Sequence, residues 1–132
     1  MTPDWHKVGL LAIRDGRILL CRKKAGTQLL ILPGGCIEPG ESHLECLRRE
    51  IAEELGDVTL SGEQCLGTYE SDAAGGGTVR IELYGGSLTG EPRASSEIAE
   101  LVWFSPADDK RILAPSIRDL ILPDLIARGL LR

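Results

Sequence analysis

An α/β fold is predicted by two patterns along the 132-residue chain and by the absence of anything that divides it. "TVRIELYGGSL" alternates with a period of two, placing Val79, Ile81 and Leu83 on one face and Arg80, Glu82 and Tyr84 on the other, as a half-buried strand does. "SHLECLRREIAEEL" instead carries Leu44, Leu47, Ile51 and Leu55 on a stripe at about 100° per residue, as an amphipathic helix does. No internal repeat, low-complexity tract or interior linker interrupts the sequence, so one domain is expected over residues 1–132.

Taken in order, "VGLLAIRDGRILLCRKK" predicts a hairpin of Val8–Ile13 with Arg17–Cys21 about an Asp15-Gly16 turn. "TQLLILPGG" predicts a short strand running into a Pro-Gly-Gly break. The helix from Ser42 to Leu55 comes next, followed by strand material in "VTL" and "CLGTYES". The Ala73–Gly77 run is a flexible hairpin tip, "GEPRASSE" a polar loop, and "IAELVWF" a strand ending near Phe104. Ser105-Pro106 signals a helix start, and "SIRDLILPDLIARGLL" reads as helix broken or kinked at Pro123.

The net charge of −5 argues against binding a nucleic-acid polymer or an anionic membrane. No apolar run approaches the roughly 20 residues that span a bilayer. "MTPDWHKVG" lacks a signal pattern, and a cytoplasmic protein is expected. Cys21, Cys36, Cys46 and Cys65 form no Cys-x-x-Cys pair, and only two histidines accompany them, which argues for free thiols and against a zinc site.

The chemistry concentrates in "GGCIEPGESHLECLRREIAEELGD", which holds Glu38, Glu41, Glu45, Glu50, Glu53, Glu54 and Asp57. Ser42-x-x-Glu45 has capping-box spacing, and Gly56 stands where a C-cap belongs. Glu50 and Glu54 are four apart and Glu53 is three from Glu50, so the three carboxylates share an arc beside the apolar stripe. Like charges at that spacing repel, and Glu53 and Glu54 also lie near the negative end of the helix dipole. A hard divalent cation, Mg²⁺ or Mn²⁺, reverses both penalties. The plainer alternative is a solvated face with Arg48 and Arg49 as counter-charges. The two glycine turns of "LPGGCIEPGE", with Gly34 and Gly35, favour a ligand, because glycine lets backbone approach phosphate oxygens closely.

The same residues resemble the Nudix family, whose box reads G-x5-E-x7-R-E-U-x-E-E-x-G-U with U aliphatic. Gly35, Glu41, Arg49, Glu50, Ile51, Glu53, Glu54 and Gly56 fill its positions; the final U is Asp57, with the aliphatic residue one later at Val58. The resemblance implies the Nudix fold, a mixed β-sheet sandwiched between α-helices, and hydrolysis of a nucleoside diphosphate linked to another moiety. It implies metal ligands at Glu50, Glu53 and Glu54, Glu41 supporting the metal shell, Mg²⁺ as the usual ion, Gly35 contributing backbone, and Arg49 orienting a catalytic carboxylate. Lys23, in the basic run after the second strand, is the candidate for holding a phosphate. For the general base, Glu53 ranks first and Glu97 second, with Glu82 and Glu100 also in reach. Trp5 and Tyr84 are candidates for stacking on a base, though partial burial explains both, and Trp103 is expected in the core or against the last helix. The secondary signatures of ADP-ribose, dinucleoside-polyphosphate, coenzyme A and NADH subtypes are absent, which leaves a MutT-like (d)NTP-type substrate. An ADP-ribose or nucleotide-sugar pyrophosphatase and a non-catalytic nucleotide sensor stand as alternatives, and a homodimer is a possibility by resemblance alone.

Overall fold

Side-chain parity along two strands decides where the core lies. In a computed structural model, which describes residues 2–131, strand β1 (Trp5–Leu11) sends Val8 and Leu10 to one face and Leu11 to the other. Strand β3 (Arg17–Lys23) likewise splits Leu19 and Cys21 from Ile18 and Leu20. Strands buried on both faces read as near-continuous apolar runs, which is why "VGLLA" and "ILLC" do not alternate. One face packs under helix α1 (His43–Leu55) through Cys46, Leu47, Ile51 and Leu55. The opposite face packs under the C-terminal segment through Ile117, Ile121, Leu122 and Leu125. The α/β sandwich of strands between helices is therefore present.

The strands form two sheets. A mixed sheet runs β4 (Gly34–Cys36), β1, β6 (Thr78–Thr89), β5 (Thr59–Asp72), with β1 and β6 parallel and the other pairs antiparallel. An antiparallel sheet runs β2 (Ile13–Arg14), β3, β7 (Ile98–Phe104). The Ala73–Gly77 run is the tip between β5 and β6, closed by the Ala73 N–H on the Gly77 carbonyl at 2.8 Å.

Four expectations are corrected. The Asp15-Gly16 turn forms, with φ of 51° and 74° as a two-residue hairpin turn requires. The hairpin ends after two pairs, Ile13 with Ile18 and Arg14 with Arg17, because both edges of β1 are taken by β4 and β6 and the chain changes sheet at Ala12. "TQLLIL" makes no strand; Ile31 bridges Cys21 while Leu30 bridges Leu113, so the segment stitches β3 to the C-terminal region one residue at a time. The expected break at Gly34–Gly35 is instead part of β4. Downstream of Ser105-Pro106 there is a turn, the Ser105 N–H on Asp108 Oδ2 at 2.8 Å, and only a 3₁₀ turn at Lys110–Ile112 capped by Asp109. Leu113 must leave that turn extended to reach Leu30, which stops a helix there.

The last helix runs through Pro123 without a break, on a change of hydrogen-bond spacing that the sequence does not specify. A π turn spans Ile117–Ile121, and the Leu122 N–H reaches back five residues to the Ile117 carbonyl. Helix α2 (Leu122–Ala127) then begins with Pro123 in its first turn, where a missing N–H costs nothing. No described helix is long and apolar enough to cross a membrane.

Leu47 is fully buried at the α1 interface, whereas Ile126 is 44% exposed. Leu47→Ala is expected to cost about 2–5 kcal/mol and Ile126→Ala less than about 0.5 kcal/mol, read from urea unfolding midpoints.

Candidate active site

The site begins with the start of α1. Ser42 Oγ accepts from the Glu45 N–H at 3.1 Å, and the Glu45 carboxylate accepts from the Ser42 N–H at 2.9 Å, completing the capping box. Helical phasing then sets Glu54 on the inner face one turn past Glu50, where it is 2% exposed. The Gly34 N–H donates to Glu54 Oε1 at 2.8 Å, tying the last turn of α1 to β4. Burial raises the Glu54 carboxyl to about 8, against the Gly34 hydrogen bond that pulls it down and with Glu50 adding repulsion. Glu50 is raised as well, chiefly by burial and against the opposing pull of Arg49.

Arg49 gathers the remaining acids. Its Nε and Nη2 fork onto the two Glu41 oxygens at 2.7 and 3.0 Å, and Nη1 donates to Glu50 Oε1 at 2.9 Å. Glu53 and Glu38 lie 3.6 and 3.8 Å from the same guanidinium. The fork holds Glu41 down near 2. Gly35 is required beside this group, because a Cβ there would stand 2.5 Å from Glu50 Cδ.

A cleft of about 460 Å³ opens next to Glu50. Lys23, Gly34, Gly35 and Glu97 line it, with Glu97 3.8 Å from Lys23. Apolar side chains, Ile31, Leu32, Val79, Ile81 and Ile117, line it as well, together with Trp5, which is 48% exposed. The structure thus brings Lys23, Gly34, Gly35, Glu50 and Glu97 around one space. Glu41, Arg49, Glu53 and Glu54 form the layer beside them and do not line it. Among the described residues, no three of the box carboxylates have ligand oxygens within 4.8 Å of one another.

Those residues nonetheless suit a divalent metal. Every donor is a hard carboxylate oxygen, Glu54 is buried with no salt bridge among the described residues, and the Glu53 side chain is half exposed. The other acids are placed elsewhere. Glu82 faces the α1 side of the sheet against His6 and Thr68, while Glu100 pairs with Arg22. Tyr84 bonds His43, away from the cleft, and Trp103 packs on the α1 side beneath the Arg14 guanidinium instead of against the last helix. Lys7 and Ser116, which also line the cleft, were not singled out from sequence. Strand parity could have found Lys7, since it shares a face with Gly9 and Leu11.

A family model described as the NUDIX domain matches residues 6–125. The chain belongs to the NUDIX family. It is 31% identical over 110 residues to a Bacillus subtilis (strain 168) protein named as an 8-oxo-dGTP diphosphatase, a match covering 81% of this chain and 70% of that one. Nucleoside triphosphatase NudI of Escherichia coli O1:K1 / APEC is 30% identical over 114 residues, covering 71% of this chain and 77% of the relative. The crystal structure of a MutT NUDIX hydrolase from Burkholderia pseudomallei superposes with a TM-score of 0.69 at 32% identity, covering 80% of this chain and 85% of that one. The protein is a Nudix hydrolase of α/β fold, and members of the family generally use a divalent metal ion.

Two outcomes follow from the geometry. Gly35→Ala pushes Glu50 off its position, so turnover should fall by roughly tenfold or more while the circular dichroism spectrum is kept; unchanged kcat/KM would show the contact to be irrelevant. The second concerns pH. Glu54 titrates near 8 when folded, against an ordinary 4.5. Between those values the folded chain holds more protons than the unfolded one, so this group's contribution makes stability fall as pH rises. Metal-free protein should therefore melt progressively lower from pH 5 to 8, and Glu54→Gln should flatten the dependence. An identical slope in the variant would remove Glu54 as its source.

Proposed function

We propose that this Nudix hydrolase is a pyrophosphohydrolase of (d)NTP-type nucleotides that works with Mg²⁺ and tolerates Mn²⁺. The observation that supports the reading is the lining of the cleft, which joins a lysine, two carboxylates and two box glycines with several apolar side chains and a tryptophan. A triphosphate calls for the first kind of group and a base for the second. The names of the Bacillus and Escherichia relatives support a nucleoside triphosphate over ADP-ribose or a nucleotide sugar.

Glu50, Glu53 and Glu54, with Glu41 behind them, would hold a divalent ion, which would supply charge neutralisation at the phosphates and a more acidic water. Lys23 binds a phosphate oxygen and so places the anhydride against Glu50. Glu97 lies at the same end of the cleft and takes the proton from the attacking water. That ranks Glu97 above Glu53 as the base, because Glu53 is turned to Arg49 outside the cleft. Arg49 is a positioning residue, holding Glu50 and Glu41 in fixed directions. Trp5 and the apolar wall receive the base and exclude water from it.

The decisive experiment is turnover of dNTPs (oxidised ones included), NTPs, ADP-ribose, nucleotide sugars and dinucleoside polyphosphates in Mg²⁺, with and without EDTA. EDTA-sensitive cleavage of a (d)NTP is expected. Glu97→Gln should lower kcat by about 10²–10⁴-fold with KM little changed, and Glu53→Gln and Glu54→Gln should each reduce turnover by orders of magnitude with the fold intact. Full activity in the last two variants would reject the metal assignment. Tight nucleotide binding with no turnover of any substrate would make the domain a sensor.

A further inference from the structure

On the α1 side of the mixed sheet, opposite the cleft, three potential metal ligands meet. His6 on β1, His43 in the first turn of α1 and Glu82 on β6 have ligand atoms that all lie within 4.8 Å of one another. His6 Nε2 is 2.7 Å from Glu82 Oε2, and the two imidazole rings stand edge to face with centroids 5.8 Å apart. The register explains the meeting. His6 has the parity of Val8 and Leu10, Glu82 that of Tyr84, and β1 and β6 are adjacent parallel strands with His6 opposite Arg80 and Val8 opposite Glu82. The capping box then sets His43 over them.

We propose that His6, His43 and Glu82 form a second cation site, selective for Zn²⁺ and distinct from the carboxylate site. Two imidazoles and one carboxylate are a borderline-soft donor set that suits zinc and disfavours Mg²⁺. Zinc bonds of about 2.0–2.2 Å in tetrahedral array put neighbouring ligand atoms about 3.4 Å apart. The His6 to Glu82 spacing of 2.7 Å is shorter than that and all three ligand atoms lie within 4.8 Å of one another, so side-chain rotation would seat the ion. Two of the three ligands are already aimed by outer partners. The Thr68 hydroxyl donates to Glu82 Oε1 at 2.6 Å, and the Tyr84 hydroxyl lies 3.2 Å from His43 Nδ1. The Glu82 side chain is largely buried and brings a carboxylate to the two imidazoles. His6 remains 39% exposed and leaves an entry path and a fourth position for water. The positive end of α1 opposes a cation only weakly against a full carboxylate. A bound zinc fastens the first turn of α1 to β1 and β6, at the end of the helix away from Glu53 and Glu54.

The test is zinc titration of the full chain in excess Mg²⁺, with affinity read by competition against a zinc-chelating dye and stability by thermal melts. One zinc per chain is expected, with the melting temperature raised on the order of 10 °C at a free zinc concentration 100-fold above Kd. His6→Ala and His43→Ala should each weaken zinc by roughly a hundredfold or more, beyond the usual effect of losing an outer partner. Glu82→Gln, close in shape to the native side chain, is the second variant should a histidine change impair folding. Glu53→Gln and Cys65→Ser should leave zinc affinity unchanged. Zinc displaced by Mg²⁺, zinc retained in both histidine variants, or zinc lost with Glu53 or Cys65 would each overturn the proposal.

Discussion

Everything at the site depends on how closely β4 approaches its two neighbours. Gly34 lies so near β1 that a Cβ would stand 2.0 Å from the Val8 carbonyl oxygen, and its φ of 140° is open to glycine alone. Its amide, held at that position, reaches Glu54 across the interface with α1. One residue on, Gly35 leaves the volume that the Glu50 carboxylate fills. Side chains at either position would separate β4 from β1 or from the helix. The glycine pair therefore sets the distance between strand and helix, and that distance decides whether the helix carboxylates stand at the cleft or behind it.

The electrostatic arrangement follows from that packing. A single guanidinium faces Glu38, Glu41, Glu50 and Glu53, and its strongest geometry, the fork, is given to Glu41. Among the described residues, the Glu54 side chain receives only a backbone N–H, and it is 2% exposed. A charge in that state is costly unless neutralised by a proton or a cation. The repulsion read from i,i+4 spacing alone is therefore unevenly distributed in the folded chain. It is largely compensated at Glu41, Glu50 and Glu53 and left open at Glu54, which is the position that gains most from a divalent ion.

The local chemistry of the site was legible because it is written in spacing. The capping box is short-range and forms as its spacing predicts, whereas the glycine pair is strand where a break was expected and the carboxylate arc is divided between the cleft, Arg49 and the core. The α/β class was legible for the same reason. What was not legible were pairings decided by competition between distant segments. Asp15-Gly16 announces a hairpin, yet nothing local says that β6 will take the edge of β1. Leu30 and Ile31 carry the apolar signature of a strand, but their partners, Leu113 and Cys21, pull in different directions. Glu82 illustrates the same limit at the level of function. Alternation puts it opposite Ile81, and only the fold reveals that Ile81 faces the cleft and Glu82 the helix.

That parity carries a further consequence for the two faces of one sheet. Residues of β1 and β6 with odd numbers, Lys7, Gly9, Val79 and Ile81, build the cleft wall, while His6, Glu82 and Tyr84 lie under α1. Adjacent residues in sequence thus serve environments of opposite character, separated by one thickness of backbone. Helix α1 is the element that belongs to both. Its first turn meets the imidazole and carboxylate cluster, and its last two turns supply the hard oxygens. A helix fixed at its start by its own cap, and at its end by the Gly34 bond to Glu54, has little freedom to rotate about its axis. One rigid helix thus serves both faces of the sheet, its first turn over the imidazoles and its last two turns at the carboxylate site.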